Sequence, residues 1–237
     1  MRNSSFRFKQ FTVVNEKSSM KLGTDGVLLG AWCDIKDATR ALDVGTGCGV
    51  IALQIAQRNS QAKIDAIDID VGSIYEATTN FKNSKWSERL NAQLIDFNFL
   101  CNKASNVYDL IVSNPPYFTN GVLPANKGRL ISRHTNTLTY KQLITGSMKL
   151  LTTQGRLAII SPVENEQEIN EICAFNNINI SKQTFVLTRI DKQPSRILWE
   201  FVQDKVDFVR NRIIIEDAPM KYTQEYVTLM RDFYLKF

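Results

Sequence analysis

The apolar residues of this chain fall into short runs that alternate between two periods. Runs at 39–44, 62–68, 92–95, 109–113 and 155–160 are rich in Ile, Val, Leu and Ala and are closed by turn or acidic residues. Such runs read as strands buried on both faces. Between them, 50–58, 71–81, 138–151 and 164–175 space their apolar residues three and four apart, which is the helical period. Strand alternating with helix at this spacing builds βαβ units, and so predicts a doubly wound, mostly parallel α/β sheet. Two further runs, 178–188 and 196–202, are joined only by 189–195, too short a link for a crossover, so the last strand is expected to be antiparallel. Ahead of the alternation, 6–14 reads as a strand or hairpin arm. Residues 20–32 predict a short helix capped by Thr24 or Asp25, with Val27, Leu28, Ala31 and Trp32 on its buried side. The tail, 222–237, reads as a helix with Tyr226, Leu229, Met230 and Phe233 on one side.

Composition narrows the picture. At 237 residues, 43% hydrophobic and 22% charged, the chain is long enough for one sizeable globular core. It has no run of eighteen apolar residues and no signal-peptide core near Met1, so the expectation is a cytoplasmic protein without a membrane span. Cys33, Cys48, Cys101 and Cys173 are scattered without a Cys-x-x-Cys pair, and His134 is the single histidine. Neither a metal centre nor a histidine-based triad is expected. Net charge is only +5, but between Asp109 and Glu164 there is no acidic residue, while Lys127, Arg129, Arg133, Lys141, Lys149 and Arg156 lie in that interval. Its first part, 118–141, is polar and glycine-containing, and reads as a basic surface loop suited to phosphate contacts; a merely solvated loop is the alternative.

Candidate chemistry gathers where the predicted strands end. Asp43-Val-Gly-Thr-Gly-Cys-Gly49 follows the first strand of the alternation and opens a helix, and Gly45, Gly47 and Gly49 allow a tight turn that approaches a ligand closely. The spacing is not the Gly-x-Gly-x-x-Gly of a dinucleotide fold. An acid immediately before the turn disfavours a pyrophosphate and suits an ammonium, such as that of S-adenosylmethionine. Asp68 ends the next strand, where a carboxylate can accept two ribose hydroxyls; Asp70 competes for this role but is better placed to cap the following helix. Asp96 ends the third strand as an acceptor for an adenine amine, with Phe97 beside it as a ring for the adenine face.

The fourth strand ends in Asn114-Pro-Pro-Tyr117. Two prolines fix φ and remove two N–H donors, leaving a rigid corner with free carbonyls. An exocyclic amine fits there, donating to the Asn114 carboxamide oxygen and the Pro115 carbonyl while Tyr117 covers the ring. A Pro-Pro pair that simply ends a strand is the plainer alternative.

Taken in order, Asp43-Val-Gly-Thr-Gly-Cys-Gly49, Asp68, Asp96 and Asn114-Pro-Pro-Tyr117 resemble the class I S-adenosylmethionine-dependent methyltransferases of the amino-methylating branch, over about residues 39–202. The resemblance implies a Rossmann-like, seven-stranded sheet in a single methyltransferase domain. Its parts would be an N-terminal extension at 1–35, a catalytic core at 36–203, and a tail with a helix at 204–237. It also implies transfer to an amine or amide nitrogen: adenine N6, guanine N2 in ribosomal RNA, or a protein glutamine. The flanks, Phe6-Arg-Phe-Lys-Gln-Phe-Thr-Val13, Met20 to Trp32 and Arg133-His134, are similar to the bacterial tRNA(Val) adenine-N6 methyltransferases. That similarity implies adenine 37 in the anticodon loop of tRNA1(Val) as target, a monomer, Thr24 near the cofactor, and Asn114, Pro115 and Tyr117 around the adenine. Lys127, Arg129 and Arg133 are then the RNA-contact candidates. N-methylation of ribosomal RNA or DNA bases, or of a protein glutamine, stays open. Asp68 stands where many such proteins carry Glu, a shorter reach to the ribose.

Overall fold

A computed structural model of the chain describes residues 5–116 and 138–237. The N-terminus forms a small hairpin, β1 (Ser5–Arg7) with β2 (Thr12–Val14), followed by α1 (Thr24–Trp32). The expected alternation follows as β3 (Arg40–Val44), α2 (Val50–Arg58), β4 (Lys63–Asp68), α3 (Val71–Lys82), β5 (Leu90–Leu94), α4 (Phe97–Cys101) and β6 (Tyr108–Ser113). After 138 come α5 (Tyr140–Leu150), β7 (Leu151–Pro162), α6 (Glu166–Asn176), β8 (Asn179–Arg189), β9 (Arg196–Val202), β10 (Val209–Ala218), β11 (Lys221–Tyr222) and α7 (Gln224–Met230).

Among the described residues the main sheet has nine strands in the order β11-β10-β8-β9-β7-β6-β3-β4-β5. Its seven-stranded core is the expected one, and β9 runs antiparallel to both β7 and β8. The tail was expected to hold a helix alone. It also carries β10, parallel to β8, and the two-residue β11, which pairs with the end of β10 at Glu216 and Ala218.

Both faces of the sheet are covered, which is why its central strands are continuous apolar runs. In β6, Leu110 and Val112 face a core shared with α1, α2 and α7, whereas Ile111 faces the opposite core under α5 and α6. The N-terminal hairpin is part of the first core: Phe8, Phe11 and Val13 are buried there, Phe8 stacks on Phe11, and Lys9 N–H donates to Phe233 O.

Chain order reverses beside β3. From β3 the chain proceeds outward through β4 and β5, then returns to place β6 on the other flank of β3. The crevice at the carboxyl ends of β3 and β6 is therefore the switch point where open α/β sheets take their ligands.

Candidate active site

Parallel pairing in register carries four sequence-distant groups to one edge. Val44 pairs with Ser113 on one side and Ile67 on the other, and Asp68 pairs with Leu94. Gly45, Asn114 and Asp68 come next after Val44, Ser113 and Ile67, and Asp96 lies two beyond Leu94, so the carboxyl edge reads Asn114, Gly45, Asp68, Asp96. Ser113 Oγ donates to Val44 O at 2.8 Å, locking the Asn-Pro corner to the strand that feeds the glycine turn.

The turn needs its glycines. Gly45, Gly47 and Gly49 have φ of 69°, 55° and 85°, the left-handed region. At Gly49 an added Cβ would also stand 2.5 Å from Phe81 Cε1 on α3, so α2 and α3 can approach only if this residue has no side chain. Gly45 and Thr46 N–H both donate to Ile67 O, and Gly47 N–H donates to Asp68 Oδ2 at 3.0 Å. The turn is thus stitched to β4.

Asp43 lies beneath the turn, not on its surface. It is fully buried; Oδ2 accepts from Thr46 Oγ1 at 2.7 Å and Ala52 N–H at 3.2 Å, while Oδ1 is buried without a hydrogen-bond partner among the described residues. Burial pushes its carboxyl up to about 7, against the two hydrogen bonds that favour the charged form. Asp68 is half-buried and also raised, by burial first; its Oδ1 accepts from Asp70 N–H at 2.9 Å. Asp70 instead caps α3, accepting from Ser73 N–H and Ser73 Oγ, both at 2.8 Å. Asp70 is thus the helix cap that the sequence expected.

Two expectations at this edge change. The Phe97 ring packs inward: it is 4% exposed, belongs to the core under α5, and its Cε1 lies 2.7 Å from where a Cβ on Gly146 would stand. It is the first residue of α4 and packs against α5. Asp96 caps that helix, with Oδ1 accepting from Phe99 N–H at 3.0 Å. The second change is at α1, which is capped by Gly23 without a side-chain bond, not by Thr24 or Asp25. Thr24 is the exposed first helical residue, and Asp25 is drawn away by Arg196, with Oδ2 to Nε at 2.8 Å.

That ion pair ties α1 to the start of β9. It holds α1 so that a Cβ on Gly26 would stand 3.6 Å from Asn114 Nδ2, which places the carboxamide against the helix. Asn114 is half-buried, Pro115 buried and Pro116 exposed. Tyr117, Lys127, Arg129 and Arg133 lie outside the described residues.

Motif reading missed a polar stripe on α3. Ser73, Glu76 and Asn80 are buried at helical spacing beside Ala77 and Phe81, and they hold the segment that follows β2. Polar residues on the apolar side of a helix were the available signal. Among the described residues, no group of three or more His, Cys, Asp or Glu side chains could hold a metal ion, and no helix is long and apolar enough to cross a membrane.

The family described as methyltransferase small domain matches residues 23–189. A Trichodesmium erythraeum protein named tRNA1(Val) (adenine(37)-N6)-methyltransferase is 41% identical over 239 residues, covering 100% of each chain. A Haemophilus influenzae protein of the same name is 35% identical over 235 residues, covering 99% of this chain and 100% of its own. Among solved structures, a predicted O-methyltransferase from Agrobacterium tumefaciens superposes with a TM-score of 0.69 at 17% identity, covering 88% of this chain and 96% of its own. Pyrococcus horikoshii TYW2, in complex with MeSAdo, gives 0.59 at 12% identity over 84% and 71% of the two chains; at such identities the likeness is one of fold. The matched segment takes in α1, the glycine turn and the Asn-Pro corner, and full-length relatives share more than a third of their residues with this chain, so the chain belongs to the methyltransferase small domain family.

Proposed function

We propose that this enzyme transfers a methyl group from S-adenosylmethionine to the exocyclic N6 of an adenine in tRNA, at position 37 in the anticodon loop of tRNA1(Val). The observation that carries the reading is the pairing of Val44 with Ser113, which sets the glycine turn and the Asn114-Pro115 corner side by side. The tRNA and the position come from the full-length relatives of that name.

The residues present fit the cofactor. Each carboxylate oxygen has about two lone-pair sites. Asp68 accepts from Gly47 N–H at Oδ2 and from Asp70 N–H at Oδ1, and its remaining lone pairs suit a pair of vicinal ribose hydroxyls. Asp43 Oδ1 is a buried acceptor in search of a donor, next to the turn where an ammonium would lie. Asp96 keeps one oxygen beyond its cap for the adenine amine. When bound, the cofactor supplies an electrophilic sulfonium methyl. The chain's own task is to orient the target amine and stabilise the charge it gains.

Asn114 Oδ1 and Pro115 O accept the two N6 hydrogens and hold the amine lone pair toward the methyl. The N6–C bond forms as the S–C bond breaks, the sulfonium becoming a neutral thioether, and one N6 proton then leaves to solvent. Because that proton is acidic only as the new bond forms, no dedicated general base is required. The basic residues Lys127, Arg129 and Arg133 are assigned to tRNA phosphates, and Tyr117 to the base face. A loop adenine is turned out of its stack at less cost than a paired one.

Asp43 gives the reading a pH signature. Without cofactor its raised pKa, about 7 against 3.8, contributes stability that is full below pH 3.8 and is lost as pH rises through about 7. An ammonium beside Oδ1 favours the charged form. Cofactor binding near pH 6.5 is therefore expected to release a proton, and affinity is expected to rise with pH through about 7. Calorimetry in buffers of different ionisation enthalpy measures this, and buffer-independent heats between pH 6 and 8 would contradict it.

Substrate choice is tested by offering labelled cofactor with tRNA lacking the modification, ribosomal RNA, duplex DNA or a glutamine-containing peptide. Label confined to N6-methyladenosine in tRNA is expected; label in any of the other three would refute the assignment.

A further inference from the structure

We infer that residues 15–21 form a strap that roofs the cofactor cleft, and that Glu76 is the positioning residue that holds it there. The inference rests on the cofactor placement proposed above.

Three consecutive backbone N–H groups converge on one buried carboxylate. Glu76, 2% exposed, accepts from Glu16 N–H and Lys17 N–H at Oε1, the latter at 2.5 Å, and from Ser18 N–H at Oε2 at 2.8 Å. Three carbonyls of the same loop face a base. Lys21 Nζ donates to Glu16 O at 2.8 Å and to Asn15 O and Ser18 O at 3.4 Å. An acid and a base thus bracket the loop, Glu76 holding three of its amides and Lys21 three of its carbonyls. Asn80, one turn beyond Glu76, closes the arrangement: Oδ1 accepts from Val14 N–H, while Nδ2 donates to Val14 O and to Cys48 O in the glycine turn.

The strap's position gives it a use. A Cβ on Gly47 would stand 3.4 Å from Ser18 Oγ, and a Cβ on Gly72 would stand 2.7 Å from Lys17 O. Ser18 Oγ lies 3.1 Å from Ser73 Oγ at the start of α3, and Lys17 Nζ sits 3.7 Å over the Tyr75 ring. The strap therefore spans from the glycine turn to the head of α3, the two sides of the cleft assigned to the methionyl and ribose ends. A buried carboxylate is costly unless fully hydrogen-bonded, and an apolar staple could fasten a loop more cheaply. Fixing three successive amides sets the backbone of a loop in advance, and pre-setting lowers the ordering cost of binding.

Glu76→Gln preserves shape but turns one acceptor into a donor facing an amide N–H. It is expected to weaken binding of S-adenosylhomocysteine about tenfold and to raise KM for S-adenosylmethionine similarly, with kcat at saturating cofactor within about twofold. Hydrogen exchange supplies a readout independent of activity. Amides 16–18 should be slowed by S-adenosylhomocysteine in the parent protein and should exchange faster in the variant. Lys21→Met, at an exposed position, should shift both readouts the same way by less, and it carries the test if Glu76→Gln fails to fold. Faster exchange of these amides with unchanged affinity would overturn the inference, as would amides in the parent that ignore the ligand. A parent protein that does not bind S-adenosylhomocysteine at all would instead overturn the cofactor reading beneath it.

Discussion

Asn114→Ala is expected to lower kcat for tRNA methylation about 10²–10³-fold, the usual cost of removing one fixed group that stabilises charge developing in a transition state. Dissociation constants for the cofactor and for tRNA should stay near those of the parent. The separation follows from where the residue sits. Its strand is paired to β3 and locked through Ser113 Oγ to Val44 O, and its carboxamide is backed by α1 at Gly26. Truncation thus removes an acceptor without loosening the turn. Single-turnover kinetics with saturating enzyme measures the chemical step alone. A variant within about tenfold of the parent would mean that the amine is oriented by something else.

Asp68→Ala is expected to weaken cofactor binding about 100-fold, from two charge-assisted hydrogen bonds to the ribose worth about 1.5 kcal/mol or more each. The same substitution strands Gly47 N–H and Asp70 N–H, which now donate to this carboxylate, so a lower thermal midpoint should accompany the loss. Asp68→Glu separates the two effects. It retains both oxygens on a longer arm and should bind within about tenfold of the parent. Equal losses for alanine and glutamate would show that the carboxylate serves the loop and not the ligand. Calorimetry with S-adenosylhomocysteine gives the affinities.

How much of this was legible in the sequence depended on burial. The central elements were, because a strand or helix packed on both sides is written in apolar residues: β9 at Arg196–Val202 and α2 at Val50–Arg58 have the expected bounds. The positions of the strand-end acids were legible for a related reason, since each closes a buried apolar run, but their structural bonds, such as the Asp96 cap of α4 and the Asp68 bond to Gly47 N–H, were not. β10 was not. Val209-Arg-Asn-Arg212 is exposed and polar, and only Ile213 is fully buried, so its partner β8 defines the strand more than its own pattern does. α4, five residues long, is too brief to show a period. Phe97 shows a further limit: spacing places a residue after a strand, but the helix that begins there decides which way its ring points. Asp43 was located correctly along the chain, yet its burial beneath the turn and its raised pKa come from packing by α2 that no local motif records. Long-range polar contacts, such as Arg196 with Asp25 and Glu76 with the strap, join residues whose nearness only the folded sheet creates.

The central claim is that one crevice at the sheet's carboxyl edge holds the sulfonium beside the corner that grips the amine. A crystal structure of the protein with S-adenosylhomocysteine tests it most directly. The account predicts ribose hydroxyls on Asp68, the amino group near Asp43 and the glycine turn, and the sulfur facing the gap between Gly45 and Asn114. A ligand bound away from β3 and β6, or one whose sulfur faces away from Asn114, would contradict it.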